Sequence, residues 1–382
     1  MPSKTKEKIN IKGDISIHTD NIFPIIKKWL YSDHEIFLRE LVSNGLDAIT
    51  KLHRISLKEK IDDIPAPLIN IQIDEEKKTL TFSDTGLGLD AEEVEKYITQ
   101  IAFSSAEEFV NKFKDKDEKS QIIGHFGLGF YSSFMVSDLV EIRSKSYKKD
   151  AKSILWSCDG STSYTIKESD RTDTGTDIIL HINEDNKSFL KEGTITELVK
   201  KYTNFLPVEI QVNGKKANEE TPLWSKAPSE TKEEEYKTFY QKLFPFNADP
   251  LFWIHLNVDF PFNLKGILYF PKVMHELDAN KGQVKLYCKQ VFVSDNSKDV
   301  IPEFLTLLQG AIDCPDIPLN ISRSYLQNDP YVQKISKHII KKVADKLNDL
   351  YKKDKVNFES IWNDISPFIK YGMMQNDDFY QK

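Results

Sequence analysis

The stretch around residues 35–54 constrains the chain most. Ile36, Leu38, Leu41, Val42, Leu46 and Ile49 recur at helical spacing, and Asp33 stands where an N-cap belongs. The same helix carries Glu40, Asn44 and Asp47 at i, i+4 and i+7, so a carboxylate, an amide and a second carboxylate share one face. Such a stripe suits a hard cation and an activated water. Asn44 offers an oxygen to Mg2+, an ion that keeps most of its waters and takes further ligands from phosphate. Glu40 could polarise one water as general base. Taken alone, a solvated polar face explains the stripe better, because such faces are common.

What surrounds this helix reads as sheet. Residues 11–17 alternate as a strand, and Asp20-Asn21 cap a helix to about residue 30. Strands are expected at 68–73 and 79–83, joined by the charged turn 74–78, with a helix from 91 to about 101. Residues 104–121 are polar, lysine-rich and weak in pattern. The Gly-rich segment 124–129 leads into an apolar helix ending at Met135, followed by strands near 139–146, 152–158, 162–168 and 175–182. A helix at 193–205 and a strand at 208–212, ended by an Asn213-Gly214 turn, complete this part. Residues 213–235, with Pro222, Pro228 and two Lys-Glu clusters, form the best boundary. Beyond it, strands are expected near 251–259, 264–270, 284–288 and 290–294, and helices near 301–310, 330–352 and 356–371. The length of 382 residues suits two or three domains.

Bulk properties exclude several classes. The formal net charge is −7 with Lys and Arg spread along the chain, which is no nucleic-acid footprint. The apolar runs are too short to span a bilayer, and the basic start lacks the apolar core of a secretory signal. Cys158, Cys288 and Cys314 are odd in number and far apart, which fits a reducing cytoplasm without disulfides or a zinc knuckle.

Four further motifs could carry chemistry. Asp84-Thr85-Gly86-Leu87-Gly88 follows a strand, where an Asp can accept from an exocyclic amine and glycines let a flat ring approach; a plain Asp-x-Gly turn is an even alternative. Gly124-His125-Phe126-Gly127-Leu128-Gly129 precedes a helix whose free N–H groups would attract phosphate, or is a hinge. It is neither a Walker loop nor a dinucleotide fingerprint. Gly175-Thr176 opens the last strand of this part, and Arg323 sits in a loop, the setting of a phosphate-sensing guanidinium or of an ordinary surface arginine.

Order adds what each motif lacks. Glu-x-x-x-Asn-x-x-Asp-Ala, then Asp-x-Gly-x-Gly, Gly-x-x-Gly-x-Gly and Gly-Thr resemble the nucleotide pocket of the gyrase, heat-shock-90, histidine-kinase and mismatch-repair ATPases. EIFLRELVS (35–43), IGHFGLGFYS (123–132) and LNISRSYLQ (319–327), with Pro222-Leu223-Trp224 and Lys285-Leu286-Tyr287, resemble the heat-shock-90 chaperones, chiefly their bacterial branch because no long acidic linker joins the domains. The resemblance implies an α/β (α+β) fold: a two-layer sandwich with a mostly antiparallel sheet over residues 1–213, a short linker at 214–235 and an α/β middle domain over 236–382. It implies an ATP-dependent, cytoplasmic stress-response chaperone that hydrolyses Mg-ATP slowly and acts on unfolded or client proteins, without nucleic acid or membrane.

By the same resemblance Glu40 is the general base and Asn44 the Mg2+ ligand. Asp84 accepts from the adenine amino group, helped by Thr176 and a water near Gly88, while Asp47 and Leu89 form pocket wall and Phe130 lies beside the nucleoside. Gly124, Gly127 and Gly129 form the phosphate-side hinge, residues 103–126 the lid, and Arg323 with Gln327 the contact to the γ-phosphate. Tyr97, Phe103, Ser104-Ser105 and Gly45-Leu46 depart from the family pattern; a glycine inside the helix costs about 1 kcal/mol, and Leu46 is expected to shift the pocket wall. Because the family dimerises through a C-terminal domain and the chain stops at Lys382, a mostly monomeric piece with weak ATPase activity is expected. The alternative from another class is a nucleotide-gated interaction module without useful turnover. A DNA-topology ATPase would want a basic groove, and a sensor kinase a phosphoacceptor His on a dimerising helix before the pocket.

Overall fold

The computed structural model describes residues 33–61, 64–100, 122–124, 127–219, 221–272, 283–295, 297, 300–319 and 329–382. The strand expected at 11–17, the helix expected to residue 30, most of the expected lid, and Phe103, Ser104, Ser105, Arg323 and Gln327 lie outside them.

The long helix forms as expected, as α1 (Ile36–Glu59). The N-cap is Glu35, with no side-chain cap, and not the expected Asp33, whose Oδ1 accepts the Glu35 N–H at 3.0 Å in the turn before the helix. At the other end Lys60 turns left-handed, at φ 53, and returns its N–H to the Ser56 carbonyl. The helix lies on an eight-stranded sheet built from β1 (Leu68–Asp74), β2 (Thr79–Asp84), β3 (Ser137–Lys145), β4 (Ile154–Cys158), β5 (Thr165–Glu168), β6 (Gly175–Ile182), β7 (Glu209–Val212) and β8 (Lys215–Lys216). The order is β5-β4-β3-β6-β2-β1-β7-β8, antiparallel throughout except for the β1–β7 pair. Alternate residues of each central strand are buried, as in β2, where Leu80, Phe82 and Asp84 point one way. Against that face pack α1, α3 (Glu192–Tyr202) and a tight 3₁₀ turn (Gly129–Met135), sharing one apolar core through Leu38, Val42, Leu80, Phe134, Leu180 and Val199. This is the expected two-layer sandwich. The short α2 (Ala91–Tyr97) carries a reciprocal capping box between Asp90 and Glu93. It ends at Tyr97, short of the extent expected from the sequence.

The second part has a five-stranded sheet, β12-β11-β13-β10-β9, from β9 (Phe252–Val258), β10 (Leu264–Phe270), β11 (Val284–Cys288), β12 (Val291–Ser294) and β13 (Gln309–Asp313). Here the expected helix at 301–310 is wrong. The segment is a 3₁₀ turn at Glu303–Leu305 followed by β13, which runs parallel to β11 and antiparallel to β10. All five residues of β13 are buried, Gln309 and Asp313 included, so no alternation marks it as a strand, and only its first two residues fall within the range expected as helix. Helix α4 (Glu233–Leu243) went unrecognised beside the boundary. The expected helix at 356–371 is two, α6 (Lys355–Ser360) and α7 (Trp362–Gln375), after α5 (Pro330–Lys353). One face of the sheet packs on α5 and α7 through Leu256, Leu268, Ile335, Ile339 and Ile365. The other holds Ile267, Tyr269 and Tyr287 against α4, Trp224 and Phe205.

Candidate active site

The polar stripe of α1 is buried, which overturns its reading as a solvated face. Glu40 is 4% exposed and Asp47 6%, with Asn44 half-buried between them. Carboxylates so enclosed need partners. Glu40 Oε1 takes the Nε of buried Arg39 at 3.2 Å. Asp47 accepts two backbone N–H groups, from Ile123 to Oδ1 at 2.8 Å and from Gly124 to Oδ2 at 2.7 Å. The start of the Gly-rich segment is therefore tied to α1 by both oxygens of one carboxylate. Further along, a methyl group on Gly129 would lie 2.5 Å from Glu40 Oε2, so any larger residue there would displace the Glu40 carboxylate. Asn44 Oδ1 also points at this segment, 3.5 Å from where a Gly124 Cβ would be. The structure thus brings Glu40, Asn44, Asp47, Gly124 and Gly129 together. One turn past Asp47 is buried Lys51, missed in the sequence; burial pushes its amine down and Asp47 draws it back up.

Asp84 closes the other side, at the end of β2. It is buried, sits opposite Ile69 and Thr176 on the neighbouring strands, and accepts the Gly86 N–H at 2.8 Å. Burial pushes its carboxyl up to about 7, against the pull of the Gly86 amide and of Arg171, which itself pairs with Asp177. The departure at Gly45 has a packing reason: its Cβ position is 3.3 Å from Asp84 Cβ and from Ile69 Cδ1, so glycine lets α1 settle onto the sheet beside Asp84. Leu46 is in the apolar core.

The loop after Asp84 is fixed by its neighbours. Leu87 N–H reaches the Ala48 carbonyl on α1 at 3.3 Å, and its own carbonyl accepts from Tyr147 at 2.8 Å. Gly88 has φ 62, and a Cβ there would meet the Lys145 carbonyl oxygen at 1.9 Å. Leu89 donates its N–H to Ser144 Oγ at 2.8 Å, and Ser144 Oγ lies 2.9 Å from Thr176 Oγ1. Ser144 was missed. Only strand register reveals it, since it stands directly across from Thr176 on β3. Phe130 packs among Tyr131, Phe134 and Trp156 with ring centroids 5.6–6.1 Å apart, within the apolar core. Gly127 has φ 63. Among the described residues no group of three or more His, Cys, Asp or Glu could hold a metal, and no helix is long and apolar enough to cross a membrane.

The first sheet and its helices have the fold of a nucleotide-binding ATPase domain: the family model for histidine kinase-, DNA gyrase B- and HSP90-like ATPases matches residues 31–187. The model for the Hsp90 protein matches residues 209–382. Chaperone protein HtpG of Bacteroides thetaiotaomicron is 53% identical over 390 residues, covering 97% of this chain and 56% of its own length. Chaperone protein HtpG of Porphyromonas gingivalis is 51% identical over 388 residues, with the same coverage. The mitochondrial TNF receptor-associated protein 1 homolog of Dictyostelium discoideum is 34% identical over 379 residues, covering 97% of this chain and 53% of its own. The chain spans just over half the length of the curated relatives it matches, and it belongs to the Hsp90 family.

Proposed function

We propose that this chain binds Mg-ATP between α1 and the end of β2, hydrolyses it slowly, and supplies the ATP-driven change of shape by which a chaperone acts on unfolded or partly folded clients. One observation carries the reading: Glu40, Asn44 and Asp47 share one helix face that is buried, and the Gly-rich segment runs across it within contact distance. Polar groups withdrawn from water beside a backbone stripped of side chains suit a ligand with phosphates of its own.

Glu40 is proposed as the base that takes a proton from the attacking water. The Asn44 amide oxygen is a hard donor beside the segment, which fits Mg2+; it would hold the ion, whose chemistry is to neutralise phosphate charge. Asp84, with Thr176 and Gly88 near it, would receive the adenine amino group, with Leu89 and Phe130 on the apolar side. Gly124, Gly127 and Gly129 would adjoin the phosphates. Asp47 would act by holding the segment in place. Arg323 and Gln327 are proposed from the family resemblance as the γ-phosphate contact. Two separate sheets, one ending at Lys216 and the next starting at Phe252, support a division between a nucleotide unit and a middle unit in the stretch between. Client binding and pairing of two copies are proposed from the family resemblance. A cytoplasmic setting accords with three buried cysteine thiols.

The test is steady-state Mg-ATP hydrolysis with ATP binding measured in parallel, on the parent and on Glu40→Gln. Gln is chosen because it keeps an acceptor for buried Arg39. Turnover should fall roughly 100-fold or more while binding survives. Undiminished turnover in the variant removes Glu40 from the chemistry, and no ATP binding by the parent at millimolar concentration sinks the reading.

A further inference from the structure

The β11–β12 hairpin is where the second unit presses on the first. Its turn is Lys289-Gln290, between the paired Cys288 and Val291. Both turn residues are left-handed, at φ 54 and 65, a conformation that disfavours side-chain-bearing residues. Asp313, buried on the neighbouring β13, holds the turn. Its carboxylate accepts the Gln290 N–H at 3.0 Å and faces the Lys289 amide as well. Val291, directly after the turn, is buried in the apolar core of the first unit, and Phe292 meets Tyr202 of α3 edge to face at 6.0 Å. With the turn so held, the Lys289 side chain reaches over and donates Nζ to the Ile122 carbonyl at 2.5 Å. Ile122 is wholly buried against Ile55 of α1. The next two residues are Ile123 and Gly124, whose N–H groups go to Asp47.

We propose that Lys289 is a positioning residue through which the second unit sets the Gly-rich segment on Asp47. A hydrogen-bonded line runs from Asp313 through the turn and the Lys289 ammonium to Ile122, and from Ile123 and Gly124 to the polar face of α1. A charged donor on a carbonyl shielded from water is among the stronger hydrogen bonds. The segment is therefore firmly seated only while the hairpin is, and a shift of the second unit is felt at Ile122–Gly124 without any contact to Glu40 or Asn44. The functional meaning rests on the nucleotide reading above; the structural coupling does not.

Amide exchange resolved by residue, on the whole chain without nucleotide, tests this with Lys289→Met and Lys289→Arg. Met keeps the unbranched shape that the turn already accepts and loses the ammonium. Exchange at Ile123 and Gly124 should be about tenfold faster or more in Lys289→Met and close to the parent in Lys289→Arg. Amides of β10, at Gly266 and Leu268, should keep their rates and report on overall stability. Unchanged exchange at Ile123 and Gly124 in Lys289→Met overturns the proposal. So does acceleration that extends equally to β10, which would mean a general loosening. ATP titration of the same three proteins then separates the two ideas: a parent that does not bind ATP defeats the nucleotide reading, while the exchange rates alone decide on Lys289.

Discussion

Asp84 links pH to the proposed base recognition in a way that can be worked out in advance. Its carboxyl stands at about 7 in place of the ordinary 3.8 because burial outweighs the Gly86 N–H and Arg171, which favour its charge, and Asp177 opposes it. An adenine amino group donates, so it needs the ionised form. Between pH 6 and pH 8 the ionised fraction rises from about 0.1 to about 0.9, and affinity should rise about tenfold, equivalent to about 1.4 kcal/mol. Adenosine is the suitable probe, since it has no phosphate titrating in this window. Calorimetry at pH 6, 7 and 8 in two buffers of different ionisation enthalpy should find about half a proton released per adenosine bound at pH 7. Asp84→Asn should bind weakly, because its amide oxygen goes to Gly86 and its NH2 faces the ligand's amine, and it should show no slope with pH. The sign for stability follows from the same shift. A folded value raised above the unfolded one gives stability present below 3.8 and lost as pH rises through about 7, on the order of 4 kcal/mol in all. Melting of the ligand-free chain should therefore be steeper with pH in the parent than in Asp84→Asn. Equal adenosine affinity at pH 6 and pH 8, with no proton release, would refute the reasoning.

Two further substitutions probe the frame around this carboxyl. Gly88→Ala combines a left-handed φ of 62 with a Cβ placed 1.9 Å from the Lys145 carbonyl oxygen, so the loop or β3 must move; denaturant unfolding should show a loss of about 3 kcal/mol or more. Ser144→Ala leaves the Leu89 N–H without its acceptor and Thr176 without its neighbour; a loss of about 1–3 kcal/mol is expected, read as a lower melting temperature, with adenosine affinity reduced as well.

How much could be read in advance depended on where each residue's partners lie. The elements of the first unit are close to their expected places because α1 and the alternating strands are patterned locally, and local pattern is what sequence displays. The polar stripe of α1 left two readings open because spacing is the same whether the face is wet or covered; burial of Glu40 and Asp47 decides between them, and burial depends on what crosses the face. Asp47 was expected as pocket wall, and its two accepted N–H groups come from 76 and 77 positions away. Gly45 looked like a helix defect until β1 and β2 were seen to pack against it. Trp224 lies in the least periodic stretch of the chain and is among its most buried side chains, because α4 and the second sheet close over it. β13 has no counterpart among the expected strands, since burial on both faces leaves it without the alternation that marks a strand. Ser144 needs the β3–β6 register, and Lys289 needs the second unit brought against the first. The chemistry proposed for this chain is thus written in short motifs, whereas the connection that would let one unit govern the other lies in single side chains with no motif at all. Lys289, Asp313 and Ile122 are ordinary residues in a sequence, and they acquire a role only when β11 and β13 run side by side and their hairpin meets the first core.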